Sequence, residues 1–93
     1  MPASTANVAT EKPAPYMKQL CRHFGHKVDA TFDDERGSIA FAMGRCRLDA
    51  TQPGILQLHV EAEDAAGLER TQQVIGSHLE RFGRRDALSV SWE

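Results

Sequence analysis

Between Val28 and Ala62 apolar side chains fall at every second position, in four successive runs. Val28, Ala30 and Phe32 alternate with Asp29, Thr31 and Asp33. Ile39, Phe41 and Met43 follow, then Cys46, Leu48 and Ala50, then Leu56, Leu58, Val60 and Ala62. A strand sends successive side chains to opposite faces, so each run predicts a strand with one dry face and one wet face. The breaks carry turn chemistry. Asp33-Asp34-Glu35-Arg36-Gly37 separates the first two runs, Gly44 allows a sharp reversal or bulge, and Gln52-Pro53-Gly54 joins a pre-set φ to a residue free to take positive φ. Connections this short leave consecutive antiparallel neighbours as the natural pairing.

Two stretches change period. Met17, Leu20, Cys21 and Phe24 recur at three- and four-residue steps behind Pro13 and Pro15, a helix start, and Gly25 weakens the helix where it should end. Asp64 is a good N-cap for a second helix carrying Leu68, Thr71, Ile75, Leu79 and Phe82, with Gly83 placed for a left-handed cap. Leu88-Ser89-Val90-Ser91-Trp92 alternates again and predicts a last strand. Since each strand has one apolar face, both helices should cover the same side of the sheet. The expected fold class is α+β: a two-layer sandwich, a mainly antiparallel sheet with two helices on one face. Leu20, Phe24, Phe41, Leu58, Ile75, Leu79 and Trp92 should share one core. The open face should carry Asp29, Thr31, Arg45, Arg47, Asp49, Gln57, His59 and Glu61, with facing charges pairing across strands.

Residues 1–12 are rich in Ala, Ser and Thr and read as a flexible tail with a short strand at Val8-Ala9-Thr10, leaving residues 13–93 as a single domain. About 80 residues can build one modest core that hides roughly 60% of the unfolded surface. Eleven basic against thirteen acidic residues give a formal charge of −2. The basic excess that neutralises phosphates is missing, so nucleic acid is not an expected partner. No apolar run approaches the ~20 residues that span a bilayer, so no membrane partner is expected. The start has no secretory pattern and the two cysteines lie far apart, which fits a reducing cytoplasm.

The metal-capable side chains concentrate in Leu20-Cys21-Arg22-His23-Phe24-Gly25-His26-Lys27. If the helix persists through Gly25, His23 and His26, three apart, share one face, whereas Cys21 sits about 140° to 160° away from both at about 100° per residue. A Cys-x-His-x-x-His ligand set therefore needs the helix to unwind at Gly25. The plainer reading makes Cys21 a small core residue and the two histidines a polar helix end, where a partly protonated imidazole also suits the last carbonyls. Cys46 alternates inward with Leu48, His59 projects from the open face, and His78 lies at the margin of the second helix. Arg81, Arg84 and Arg85 are explained as helix-end stabilisation. No cysteine or serine stands beside a base and no Gly-rich phosphate loop exists, so catalysis has no anchor in the residues.

Tyr16 to Lys27, Phe32-Asp33-Asp34-Glu35-Arg36-Gly37, Gly44-Arg45-Cys46, Glu61-Ala62-Glu63-Asp64 and His78-Leu79-Glu80-Arg81-Phe82, in that order, resemble the bacterial domain of unknown function 2218 family. The likeness runs from Val8 to Trp92. Similar domains are also attached to siderophore-interacting, flavin-dependent ferric-reductase-like proteins. The resemblance thus implies a setting in iron or siderophore metabolism, and it carries over Cys21, His23 and His26 as a metal set for iron or zinc. The flavin-binding barrel of the fused proteins is absent from this sequence, so reductase activity does not transfer. Two expectations follow: an accessory domain that binds a protein partner or small ligand, or a metal-binding protein or metal-dependent enzyme centred on Cys21, His23 and His26.

Overall fold

A computed structural model describes residues 2–93. The chain runs β1 (Ala3–Ala9), α1 (Pro13–Phe24), β2 (Asp29–Phe32), β3 (Arg36–Ala40), β4 (Arg45–Asp49), β5 (Ile55–Glu61) and α2 (Ala65–Phe82), then a 3-10 turn at Arg84–Asp86. The five strands form one antiparallel sheet in the order β1-β5-β4-β3-β2. The four alternating runs are β2 to β5 and pair as consecutive neighbours. Helix α1 carries the chain from one sheet edge to the other, lying against β2, β3 and β5, while α2 lies against β4 and β5.

The inward rows meet the helices as the periodicity requires. Ile39, Cys46 and Val60 stand opposite one another across β3, β4 and β5, and all are fully buried. Against them α1 buries Tyr16, Met17, Leu20, Cys21 and Phe24, and α2 buries Thr71, Ile75 and Leu79. Phe41 and Trp92 pack at the margin of the same cluster. The open face holds the eight expected residues, and it pairs its charges: Arg36 meets Asp49 and Arg47 meets Glu61, each at 3.5 Å.

The N-terminal tail is a correction. Ala3 to Ala9 form a complete edge strand, in register with β5 from Ala3 opposite Glu61 to Ala9 opposite Ile55. Ser4, Ala6 and Val8 are its buried side chains. Alternation is present, but two of the three inward residues are too small to mark an apolar stripe. Met1 lies outside the described residues.

The expected last strand is a second correction. Leu88 to Glu93 join no ladder. The segment crosses α2 and reaches β1, where Glu93 N donates to Thr5 O at 3.0 Å. It passes over Gly76, where an added Cβ would make only ordinary contacts with Trp92 Nε1 at 3.6 Å and Val90 Cγ1 at 3.7 Å.

Gly83 does not adopt a left-handed cap. Its φ is −96°, and the left-handed residue is Ala87 at 55°. The glycine is needed because a Cβ there would run into Leu88 Cγ and Cδ1. Gly83→Ala should therefore cost about 1–3 kcal/mol through overpacking. A urea midpoint equal to the parent's would show that Leu88 has room to yield.

The imidazole and aromatic cluster

Helix α1 ends at Phe24 because Gly25 and the turn residues behind it take its last carbonyls. Gly25 N donates to Cys21 O at 2.8 Å, and Lys27 N and Val28 N both donate to Phe24 O. The helix thus unwinds where the three-ligand set requires, yet Cys21 is not delivered to the histidines. It is 1% exposed and faces the sheet, with Sγ 4.0 Å from Thr31 O and directly beneath Gly37. Burial pushes its thiol up to about 11, and burial pushes Cys46 up further. Both thiols are free, and their burial disfavours the thiolate, the form that attacks or ligates. His26 is exposed in the turn after α1. Among the described residues no three His, Cys, Asp or Glu side chains are placed to hold a metal ion.

His23 instead meets α2. Its ring centroid lies 5.0 Å from that of His78, 5.0 Å from Phe24 and 5.4 Å from Phe82. Phe24 in turn stands 4.9 Å from His78 and 5.1 Å from Phe41. Five rings from α1, α2 and the β3–β4 turn therefore form one cluster, with His23 at its exposed end. Edge-on and tilted pairs of this spacing are the attractive arrangements for π systems.

The imidazole of His78 is fixed. Its Nδ1 lies 2.7 Å from Val74 O, and a carbonyl only accepts, so Nδ1 carries the proton and the neutral ring keeps Nε2 as its lone-pair nitrogen. His23 is held below the ordinary histidine value, first by desolvation and then by His78, Lys27, His26 and Arg81. Every charged or chargeable neighbour in that set is basic.

Sequence reasoning grouped His23 with Cys21 and His26 and left His78 at a margin, whereas in the fold the ring nearest His23 on α2 is His78. A signal existed: His78 and Phe82 are four apart on α2 and so share one helix face. What could not be seen was the contact between two helices separated by four strands in sequence.

No curated protein matches the chain. A solved structure does: the NMR structure of PA4090 from Pseudomonas aeruginosa is 34% identical, with a TM-score of 0.83, covering 100% of this chain and 96% of that one. A family model described as "Uncharacterized protein conserved in bacteria (DUF2218)" matches residues 5–93, nearly the full length. With its motif blocks from α1 and α2 meeting in this cluster, the chain belongs to the DUF2218 family.

Proposed function

We propose that this domain is a binding module without catalytic chemistry, acting through the His23 end of the cluster on an acidic segment of a partner protein. The observation that carries the reading is the field at His23: an exposed imidazole, seated on rings from two helices, whose charged neighbours are all basic. From α1 and the turn behind it come His26 and Lys27, from α2 come His78 and Arg81, and the β3–β4 turn contributes the uncharged Phe41. No carboxylate in that set competes with an acidic partner. A lowered value leaves His23 neutral at pH 7, and protonation adds charge where a carboxylate would neutralise it.

The sign for stability runs the other way. Because the folded value lies below the unfolded one, the unfolded chain binds the proton more readily, and this contribution to stability is present above about pH 6.5 and declines as pH falls. Acid therefore weakens the free domain slightly and strengthens its contact.

The test is a titration with an oligoglutamate peptide, followed by amide shifts, between about pH 7.5 and 5.5, either side of the reference histidine value of about 6.5. Affinity should rise on acidification, by up to about tenfold per pH unit for each proton taken up. His23→Ala with His26→Ala should abolish that dependence and leave the melt intact. A double variant unfolded at room temperature would make these side chains structural, and an affinity flat with pH would remove the imidazoles from the contact.

The iron or siderophore setting implied by the family supports a rival, a metal site at the same place. The bond from His78 to Val74 O is what favours it, because ligating histidines commonly donate their other nitrogen to a carbonyl. His23 and His78 would then be the protein ligands, with Cys21 left in the core. Elemental analysis of tag-free protein separates the two: near one ion per chain supports the metal reading, and sub-stoichiometric metal supports the partner reading.

A further inference from the structure

On the other side of the sheet, away from both helices, the strand registers line up Thr31, Ser38, Arg47 and His59 across β2, β3, β4 and β5. The next row on the same face is Arg36, Asp49 and Gln57. Together they floor a groove of about 660 Å³, within the usual range for small-molecule sites.

The hydrogen-bonding capacity of this groove is unbalanced. One oxygen of each bordering aspartate is occupied. Asp33 Oδ1 takes the backbone N–H groups of Glu35 and Arg36 at 2.7 and 2.8 Å, and Asp49 Oδ1 takes Thr51 N at 2.8 Å and the Thr51 hydroxyl. Gln57 Nε2 spends one N–H on Asn7 Oδ1 at 3.1 Å, but the other donors are largely free. Arg47 spends one N–H on Glu61 and Arg36 one on Asp49, both at 3.5 Å, while a guanidinium carries five. Those pairs are exposed, with the arginine side chains 60% and 69% accessible, and pairs of this kind hold weakly. Thr31 and Ser38 add hydroxyls beside Arg47. His59, which lines the groove, engages Thr5 Oγ1 through Nδ1 at 3.0 Å.

We infer that this groove is a second binding site, separate from the helix-end cluster, for a small molecule bearing a single carboxylate held by Arg47 with Thr31 and Ser38. The planar fork of Arg47 matches a carboxylate in two parallel bonds. One negative charge is favoured over two because Asp33 and Asp49, both ionised, border the same space. Phosphate, a dianion for much of the time at neutral pH, meets that repulsion twice over.

Benzoate and inorganic phosphate are the probes, titrated separately into the full chain with backbone amide shifts as the readout. Benzoate should bind saturably and move Thr31, Ser38, Arg47 and His59, phosphate should bind more weakly, and Arg47→Gln should weaken benzoate at least about tenfold. Arg47 is exposed, so the variant keeps the parent's spectrum elsewhere and reports on binding alone. Phosphate binding more tightly than benzoate, shifts centred on His23 and His78, or an Arg47→Gln titration matching the parent would each overturn the assignment.

Discussion

Replacing Leu79 by alanine is expected to cost about 2–5 kcal/mol, a large part of the roughly 5–15 kcal/mol that a small domain has in total. Leu79 is fully buried on the face of α2 that meets the sheet, one turn beyond Ile75, in the cluster that includes Leu20, Leu58 and Val60. Truncation removes apolar contact and leaves a cavity. How much of it closes is limited by the neighbours: the sheet beneath is held by ladders on both sides, and the Gly83–Leu88 contact fixes the end of the helix. The measurement is urea unfolding monitored by Trp92, which packs at the margin of that cluster. An unchanged midpoint would move Leu79 out of the core. A changed slope would mean that the compactness of the unfolded or native state, or two-state behaviour itself, had altered.

What was legible in the sequence is what depends on large side chains at short range. The runs from Val28 to Ala62 show period two with Phe, Ile, Leu and Val, and their turns carry Gly and Pro, so four strands and their order followed from local chemistry. The Asp64 cap is of the same kind, and its Oδ1 does accept from Gly67 N at 2.7 Å. The errors arise where the signal is carried by small residues or by distant partners. Ser4 and Ala6 fill buried inward positions with side chains too small to mark an apolar stripe, so the strand that completes the sheet looked like a tail. At Gly83 a glycine expected for its backbone freedom is required by Leu88.

The candidate site divides the same way. That Cys21 belongs to the core and the histidines to the surface was readable from the helical stripe of Met17, Leu20 and Phe24, and the structure places all three residues accordingly. That His23 faces His78 was not readable, because nothing local to either residue specifies how α1 and α2 approach each other over the sheet. The open face was legible residue by residue. Its donor surplus was not, since it depends on how Asp33 and Asp49 each give one oxygen to their own turns while Arg36 and Arg47 keep most of their N–H groups.

The status of the N-terminal segment can be tested by placing a charge in it. Ala6→Glu should destabilise the domain by several kcal/mol, because Ala6 is fully buried opposite Leu58 and a carboxylate there has neither water nor a basic partner. Were residues 1–12 a tail, the same substitution would be nearly silent. Ala9→Glu is the control: Ala9 is exposed and opposite Ile55 on the other face of the strand, so its cost should stay within about 0.5 kcal/mol. The pH dependence gives a second check. Burial raises the pKa of the new glutamate above its unfolded value of about 4.3, so the folded variant binds the proton more tightly and the deficit grows as pH rises through that value. Urea midpoints for Ala6→Glu should thus approach the parent's near pH 4 and fall away toward pH 7. A deficit independent of pH would mean that bulk, rather than buried charge, disrupts β1, and no deficit at all would return the segment to a tail.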